Sequence, residues 1–144
     1  MIFDNLPTNS PEGFLHYVPK ARKLRDELLA TSYKLEVLHG DLHHDNILNN
    51  DFNWKVIDPK GVMGDHIYDI ATFICNPMEE LIALEDPIQI IKNRIIFFAK
   101  EFCIPAQRIH DWCFVCSILS WAWAIEDGLD TVDFKRRTEI FDRM

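Results

Sequence analysis

Eight consecutive residues, His39-Gly40-Asp41-Leu42-His43-His44-Asp45-Asn46, gather three histidines, two aspartates and one asparagine. Imidazole and carboxylate groups at that density suit proton transfer, and amide and carboxylate oxygens suit a hard divalent cation. A further acidic position, Asp58, stands beside Pro59, Lys60 and Gly61. The chain between Asn46 and Asp58 reads as a hairpin, which folds Asp58 back towards Asn46. Two oxygen ligands then converge from separate segments. Three of the five glycines, Gly40, Gly61 and Gly64, fall in the same neighbourhood, so backbone freedom and polar groups coincide there.

The order His39-x-Asp41-Leu42-x-x-x-Asn46, followed after a hairpin by Asp58, matches the pattern of a kinase catalytic loop and its metal-binding Asp. In that chemistry the first Asp accepts the proton of the attacking hydroxyl, while the Asn and the second Asp hold Mg²⁺ on the nucleotide phosphates. Longer stretches carry a closer likeness. His39-Gly-Asp-Leu-His-His-Asp-Asn-Ile-Leu48, Val56-Ile-Asp-Pro-Lys-Gly61 and Gly64-Asp-His-Ile-Tyr-Asp-Ile-Ala71 resemble the aminoglycoside phosphotransferase family. The His-His pair, the Asp-Pro-Lys-Gly run and Ser120-Trp-Ala-Trp-Ala-Ile-Glu-Asp-Gly128 are similar to its streptomycin 6-kinase and hydroxyurea-resistance branch. Many relatives have Pro-Gly where this chain has His44-Asp45.

The resemblance implies Asp41 as catalytic base, Asn46 and Asp58 as metal ligands, and Asp69 as a structural Asp that braces the catalytic loop. It implies Mg²⁺ and ATP as cofactors, and a hydroxyl of an aminoglycoside such as streptomycin, or of another small molecule, as acceptor. The fold it implies is the C-terminal lobe of a protein-kinase-like fold, helical, with a small β-hairpin carrying the catalytic and metal-binding loops. The family's N-terminal nucleotide-binding lobe has no counterpart in the 38 residues before His39, which hold no Gly-rich loop and no apolar strand bearing a central Lys. The expectation is therefore a single domain over 1–144 without that lobe. By itself it is not expected to phosphorylate a substrate. The surface left by the missing lobe would favour self-association, and a non-catalytic remnant that binds ligand or pairs with another chain is the alternative. A metal-dependent phosphohydrolase is a weaker one, because only His66 and His110 follow the first cluster.

Other polar residues have two readings each. His39 buttresses the loop rather than reacting. His43 and His44 are substrate-facing or packing residues, since adjacent side chains diverge on extended chain. Lys60 either touches phosphate or sits solvated in a turn. Glu126, Asp127, Asp130 and Asp133 are either a wall for a cationic substrate or a solvated helix end, with Asp133 capping the next helix. Asp65 caps the helix after Gly64.

The elements that must hold this cluster are mostly helical, giving an α+β, mostly α, class. Residues 1 to 9 read as irregular. Ser10-Pro11-Glu12 is a helix start with Ser10 as cap, and Pro19 is expected to interrupt or restart that helix. Ala21, Leu24, Leu28 and Leu29 continue at helical spacing to Ser32. Short strands are expected at 36–39, 46–48 and 54–57, the last two pairing across the Asn-rich link 49–53. Helices follow at 65–75, 78–84, 87–102, 105–127 and 132–143. The stripe Ile88, Ile91, Ile95, Phe98 and Phe102 marks the third of these. From Trp112 to Ile125 only Ser117 and Ser120 are polar, so that helix is the core, and Trp112, Trp121 and Trp123 are read as core aromatics.

Composition bounds the partners. The chain has 144 residues, of which 48% are hydrophobic, enough for one core. Charge runs 15 − 23 = −8, which repels phosphate backbones and favours a small, cationic substrate over nucleic acid. The apolar run is too short for a bilayer, so no membrane partner is expected. Met1-Ile-Phe-Asp-Asn5 does not read as a signal peptide. Cys75, Cys103, Cys113 and Cys116 form no disulfide framework, and Cys113-x-x-Cys116 sits among apolar residues as buried free thiols. These features point to the cytoplasm.

Overall fold

The computed structural model describes residues 5–144. Met1–Asp4 lie outside the described residues, so the irregular reading of 1–9 is met only from Asn5 on, where the chain is turn and coil as far as Pro11. Helix α1 (Glu12–Ala30) is followed by β1 (Glu36–Leu38), β2 (Ile47–Asn49), β3 (Trp54–Val56) and β4 (Val62–Gly64). Then come α2 (Ile67–Ile74), α3 (Met78–Ala83), α4 (Pro87–Phe102), α5 (Ala106–Glu126) and α6 (Val132–Asp142). The class is α+β and mostly helical, as expected.

Helix α5 is the centre. Twelve of its residues are buried, from Ile109 to Ala124, on every face of the helix. Helices α1, α2, α4 and α6 pack around it. Its one fully buried hydroxyl is satisfied: Ser117 donates to the Phe114 carbonyl at 2.7 Å and accepts from Thr138 of α6 at 3.2 Å. Phe14 of α1 meets Trp121 edge to face at 5.5 Å, and Ile74, Ile91, Ile109 and Phe141 complete the interior. No helix among the described residues is long and apolar enough to cross a membrane.

The expected hairpin forms: β2 and β3 pair antiparallel, with Ile47 opposite Val56 and Asn49 opposite Trp54. A second pair was not anticipated. Strand β4 lies antiparallel to β1, with Glu36 opposite Gly64 and Leu38 opposite Val62. Its three residues, Val-Met-Gly, are too short for a period and follow Gly61, so no local signal marks them. Glycine at 64 has a packing reason, because a Cβ there would stand 2.8 Å from Leu38 Cδ1.

Four local expectations are corrected. Pro11, not Ser10, is the cap residue of α1, and the Ser10 hydroxyl turns back to the Pro7 carbonyl at 2.7 Å. Pro19 lies inside an unbroken α1. It sits on the exposed side, where water can serve the carbonyl that a proline leaves without a partner. Asp133 caps nothing; Thr131 is the cap residue of α6, and Asp130 Oδ1 accepts from the Val132 N–H at 3.0 Å. Finally, Trp123, read as a core aromatic, is 44% exposed, and Phe102, the last residue of the apolar stripe of α4, is 56% exposed. Three cysteines, Cys75, Cys113 and Cys116, are buried as free thiols, and Cys103 is exposed in the left-handed C-cap of α4.

Candidate functional site

The His39–Asp41 segment leaves β1 and is held from behind by α2. Asp69 accepts two backbone hydrogen bonds, from His39 N at 2.8 Å and from Gly40 N at 2.9 Å. Gly40 has φ +80, and a Cβ there would stand 2.9 Å from Val62 Cγ2 and 3.2 Å from Lys60 Cβ. Conformation and space thus both require glycine. The His39 ring spans two segments. Its Nε2 lies 2.7 Å from the Ile57 carbonyl, which can only accept, so Nε2 carries the proton. Its Nδ1 then accepts from the Asp41 N–H at 3.2 Å. Lys60 N donates to the His39 carbonyl at 2.7 Å. The segment before Asp41 and the segment around Asp58 are therefore one hydrogen-bonded unit.

Asn46 ends a single 3₁₀ turn over His44–Asn46 and is 8% exposed. Its Nδ2 donates to the Asp41 carbonyl at 2.9 Å and lies 3.2 Å from His43 Nε2. With the amide nitrogen so engaged, Oδ1 is the ligand atom left over. Ile57 N donates to the Asn46 carbonyl at 3.0 Å, which sets Asp58 next to Asn46 in space. Asp58 itself is exposed and takes φ +56. An amide and a carboxylate oxygen suit Mg²⁺, which takes few protein ligands and completes its shell with water and phosphate. Among the described residues no three His, Cys, Asp or Glu side chains converge on a common metal position, so the multi-histidine site that a metallophosphatase needs is not assembled.

The Asp41 carboxylate is partly exposed. Lys60 Nζ approaches its Oδ2 at 3.5 Å and His43 Nε2 its Oδ1 at 3.8 Å. His43 Nδ1 stands 3.6 Å from Asp45. His44 takes the packing role. Its ring stacks on Phe73 at 4.3 Å, and burial, then the nearby Arg94 charge, push its pKa below the usual imidazole value. The structure thus brings Asp41, His43, Asn46 and Lys60 together, with His39 and Asp69 behind and the backbone of Asp58 alongside Asn46. It does not bring Glu126, Asp127 or Asp130 there; they are exposed at the end of α5 and in the following turn, and line neither cavity on Asp41.

Two cavities open on Asp41. The larger, about 500 Å³, is mainly apolar and bounded by Leu29, Lys60, Met63, Tyr68 and Trp123. The smaller, about 220 Å³, is bounded by His43, Thr72, Ser120, Trp123 and Arg137. Sequence reading missed Trp123 and Arg137 as lining residues. Arg137 hides in the run Lys135-Arg136-Arg137, yet it falls with Phe134, Thr138 and Phe141 on one helical face, a spacing that could have flagged it. It also missed Arg108 of α5, which donates to the Asp65 carboxylate, the Leu28 carbonyl and the Thr31 hydroxyl. Asp65 also accepts from Ser32 Oγ at 2.8 Å and Ile67 N at 3.0 Å. Burial alone would raise its pKa, but these donors hold it below the usual carboxylate value.

Comparison with known proteins supplies the family. The profile of a family described as aminoglycoside/hydroxyurea antibiotic resistance kinase matches residues 8–128. The chain is 35% identical over 114 residues to a streptomycin 3''-kinase of Klebsiella pneumoniae, covering 75% of this chain and 42% of that protein. It is 28% identical over 97 residues to a streptomycin 6-kinase of Streptomyces griseus, covering 67% of this chain and 32% of that protein. It therefore spans less than half the length of these relatives. No solved structure matches. With a match over most of its length and the loop from His39 to Asn46 folded as a unit with Asp58, the chain belongs to the aminoglycoside/hydroxyurea antibiotic resistance kinase family.

Proposed function

We propose that this chain is the acceptor- and metal-binding lobe of an ATP-dependent phosphotransferase with a protein-kinase-like fold, acting in the cytoplasm on a hydroxyl of a small molecule. An aminoglycoside such as streptomycin is the acceptor that the relatives' names suggest. The observation that carries the reading is the double tether of the loop. Asp69 fixes the amides of His39 and Gly40, and the His39 ring ties Asp41 N to the Ile57 carbonyl. Asp41 is thereby held at a set distance from the Asn46–Asp58 pair. Phosphoryl transfer asks little of the protein beyond position and charge, and this arrangement supplies both.

In this reading Asp41 orients the acceptor hydroxyl and takes its proton. Asn46 Oδ1 and Asp58 would hold Mg²⁺, which neutralises charge on the phosphates of bound ATP. Lys60, 3.5 Å from Asp41, is free to swing to a phosphate oxygen as the charge there grows. His43 keeps the Asn46 amide turned so that its oxygen faces outward. Asp69 and His39 act through the backbone and are positioning residues.

The test is transfer of phosphate from labelled ATP by this chain fused behind the upstream part of a streptomycin kinase, with streptomycin and small alcohols as acceptors. Transfer by the fusion is expected, and Asp41→Asn should lower its rate by about 10²–10⁴-fold, the usual worth of a general base. An Asp41→Asn fusion as active as the parent would overturn the assignment. The chain alone should show no turnover.

A second reading has its own observation. Val37, Trp54, Val56, Val62 and Met63, all on the two strand pairs, are exposed. Such a face suits a partner, either another lobe or a second copy of this chain.

A further inference from the structure

Five elements close on the larger cavity. Leu29 comes from α1, Leu38 from β1, Val62 from β4, Tyr68 from α2 and Trp123 from α5. At about 500 Å³ it falls within the range of about 300–1,000 Å³ typical of small-molecule sites. Leu38 stands opposite Val62 in the β1–β4 register, so both side chains lie on one face of that strand pair. Val62 and Trp123 are exposed. Apolar surface on this wall is therefore open to an incoming molecule rather than packed away.

The charged groups of the cavity are few and sit together. Among the described residues three charged side chains line it, Asp41, Lys60 and Asp65. Asp65 is committed to Arg108, Ser32 Oγ and Ile67 N. Asp41 and Lys60 stand 3.5 Å apart, both with exposed side-chain surface, and offset each other in charge. A polycation needs several free carboxylates. A polyhydroxylated ring needs a partner for each hydroxyl it takes out of water. This cavity supplies neither. It supplies an apolar chamber with one carboxylate at its edge. A molecule with an apolar body and a single hydroxyl matches that pattern: the body leaves water for the wall, and the hydroxyl donates to Asp41. Trp123 stands where the two cavities meet, since it lines both, as do Gly40, Asp41 and Tyr68. Its half-exposed indole offers a flat apolar surface beside the carboxylate.

We infer that the larger cavity receives the apolar body of the acceptor, a monohydroxy amphiphile whose hydroxyl meets Asp41, and that Trp123 selects for that body. The inference deepens the phosphotransferase reading and rests on Asp41 as the group that faces the acceptor hydroxyl. In transfer, the alcohol oxygen bonds to the γ-phosphorus of ATP, the bond from that phosphorus to the bridging oxygen breaks to leave ADP, and the hydroxyl proton passes to Asp41. The class departs from the polycationic acceptor expected from net charge.

The test is calorimetric titration of the full chain with butanol, hexanol, octanol and streptomycin, followed by transfer from labelled ATP to the same probes in the fused enzyme. Each added methylene should tighten binding by about four-fold, the worth of one buried CH₂. Heptyl methyl ether has the size of octanol but no proton to donate, and should bind about ten-fold more weakly. Trp123→Ala should weaken octanol by about ten-fold, and Trp123→Phe should restore most of the loss. If Trp123→Ala does not fold, Val62→Glu sets a charge on the exposed part of the apolar wall and should weaken octanol by about ten-fold or more. Affinity flat with chain length, equal binding of the ether, octanol binding indifferent to these variants, or streptomycin bound more tightly than octanol would each overturn the inference. Transfer to streptomycin but not to octanol would overturn it too, while sparing the phosphotransferase reading. Chain-length-dependent binding that Trp123→Ala weakens, with no transfer to any acceptor, would uphold the amphiphile site and count against the phosphotransferase reading alone.

Discussion

At the scale of single residues, the site is organised by what each polar group has already given away. Asn46 has spent its amide protons, His39 both ring nitrogens, and Asp69 both oxygens, so each can stand in only one way. Replacing Asp69 by Ala orphans two backbone N–H groups. We expect a loss of about 2 kcal/mol, with amide exchange at His39 and Gly40 speeding up far more than at α5; uniform acceleration would point to global destabilisation instead. His44 gives a pH signature. Its folded pKa lies below the usual imidazole value near 6.5, so the unfolded chain takes up its proton first. Stability from this residue is complete above about pH 6.5 and is lost as pH falls from there towards the folded value. His44→Phe keeps the stack on Phe73 and cannot titrate, so urea midpoints at pH 7.5 and 5.5 should differ less in the variant than in the parent. Equal differences would refute the assignment.

At the scale of elements, one side chain joins three of them. Arg108 of α5 closes on the C-terminal turn of α1 and on Asp65 just ahead of α2. Arg108→Met leaves the Asp65 carboxylate buried without its cation, at a cost of about 3 kcal/mol near neutral pH. The sign against pH follows from the depressed carboxyl pKa. The pair contributes fully above the unfolded value near 3.8 and fades as pH falls through the lower folded value. The gap between parent and variant should therefore be widest at pH 7 and shrink below about pH 4; a gap constant down to pH 3 would exclude this pair as its source. This clamp also shows where sequence reading stops. The helices were legible because periodicity, Asp86-Pro87, Pro105 and Gly128 are local signals, and Asp86 does cap α4 through Gln89 N at 3.0 Å. The loop from His39 to Asn46 was legible because its residues are contiguous. Strand β4 and the Arg108–Asp65 pair were not, since each acquires meaning only from a partner far along the chain. Pro19 misled for the opposite reason: a local helix-breaking signal was overridden by the packing of Val18 and Ala21 into the core.

At the scale of the whole molecule, the fold is lopsided. One side is closed around α5, and the other ends in two strand pairs whose outer residues, Val37, Trp54, Val56 and Met63, face water. If that face takes a second copy, multi-angle light scattering should show a dimer at tens of micromolar, and Trp54→Lys with Met63→Lys should return it to monomer. A parent that remains monomeric at such concentrations would leave the face for an upstream lobe. The net charge of −8 opposes self-association, so added salt should shift the equilibrium towards dimer. The distribution of thiols has a practical consequence. Cys103 is at the surface, whereas Cys75, Cys113 and Cys116 line the interior around Arg137. A maleimide dye would thus attach at one position in the native protein and at four after denaturation. Mass spectrometry of partly labelled samples would then clock how often the centre of the molecule breathes open, three sulfurs reporting on the interior and the fourth on the surface.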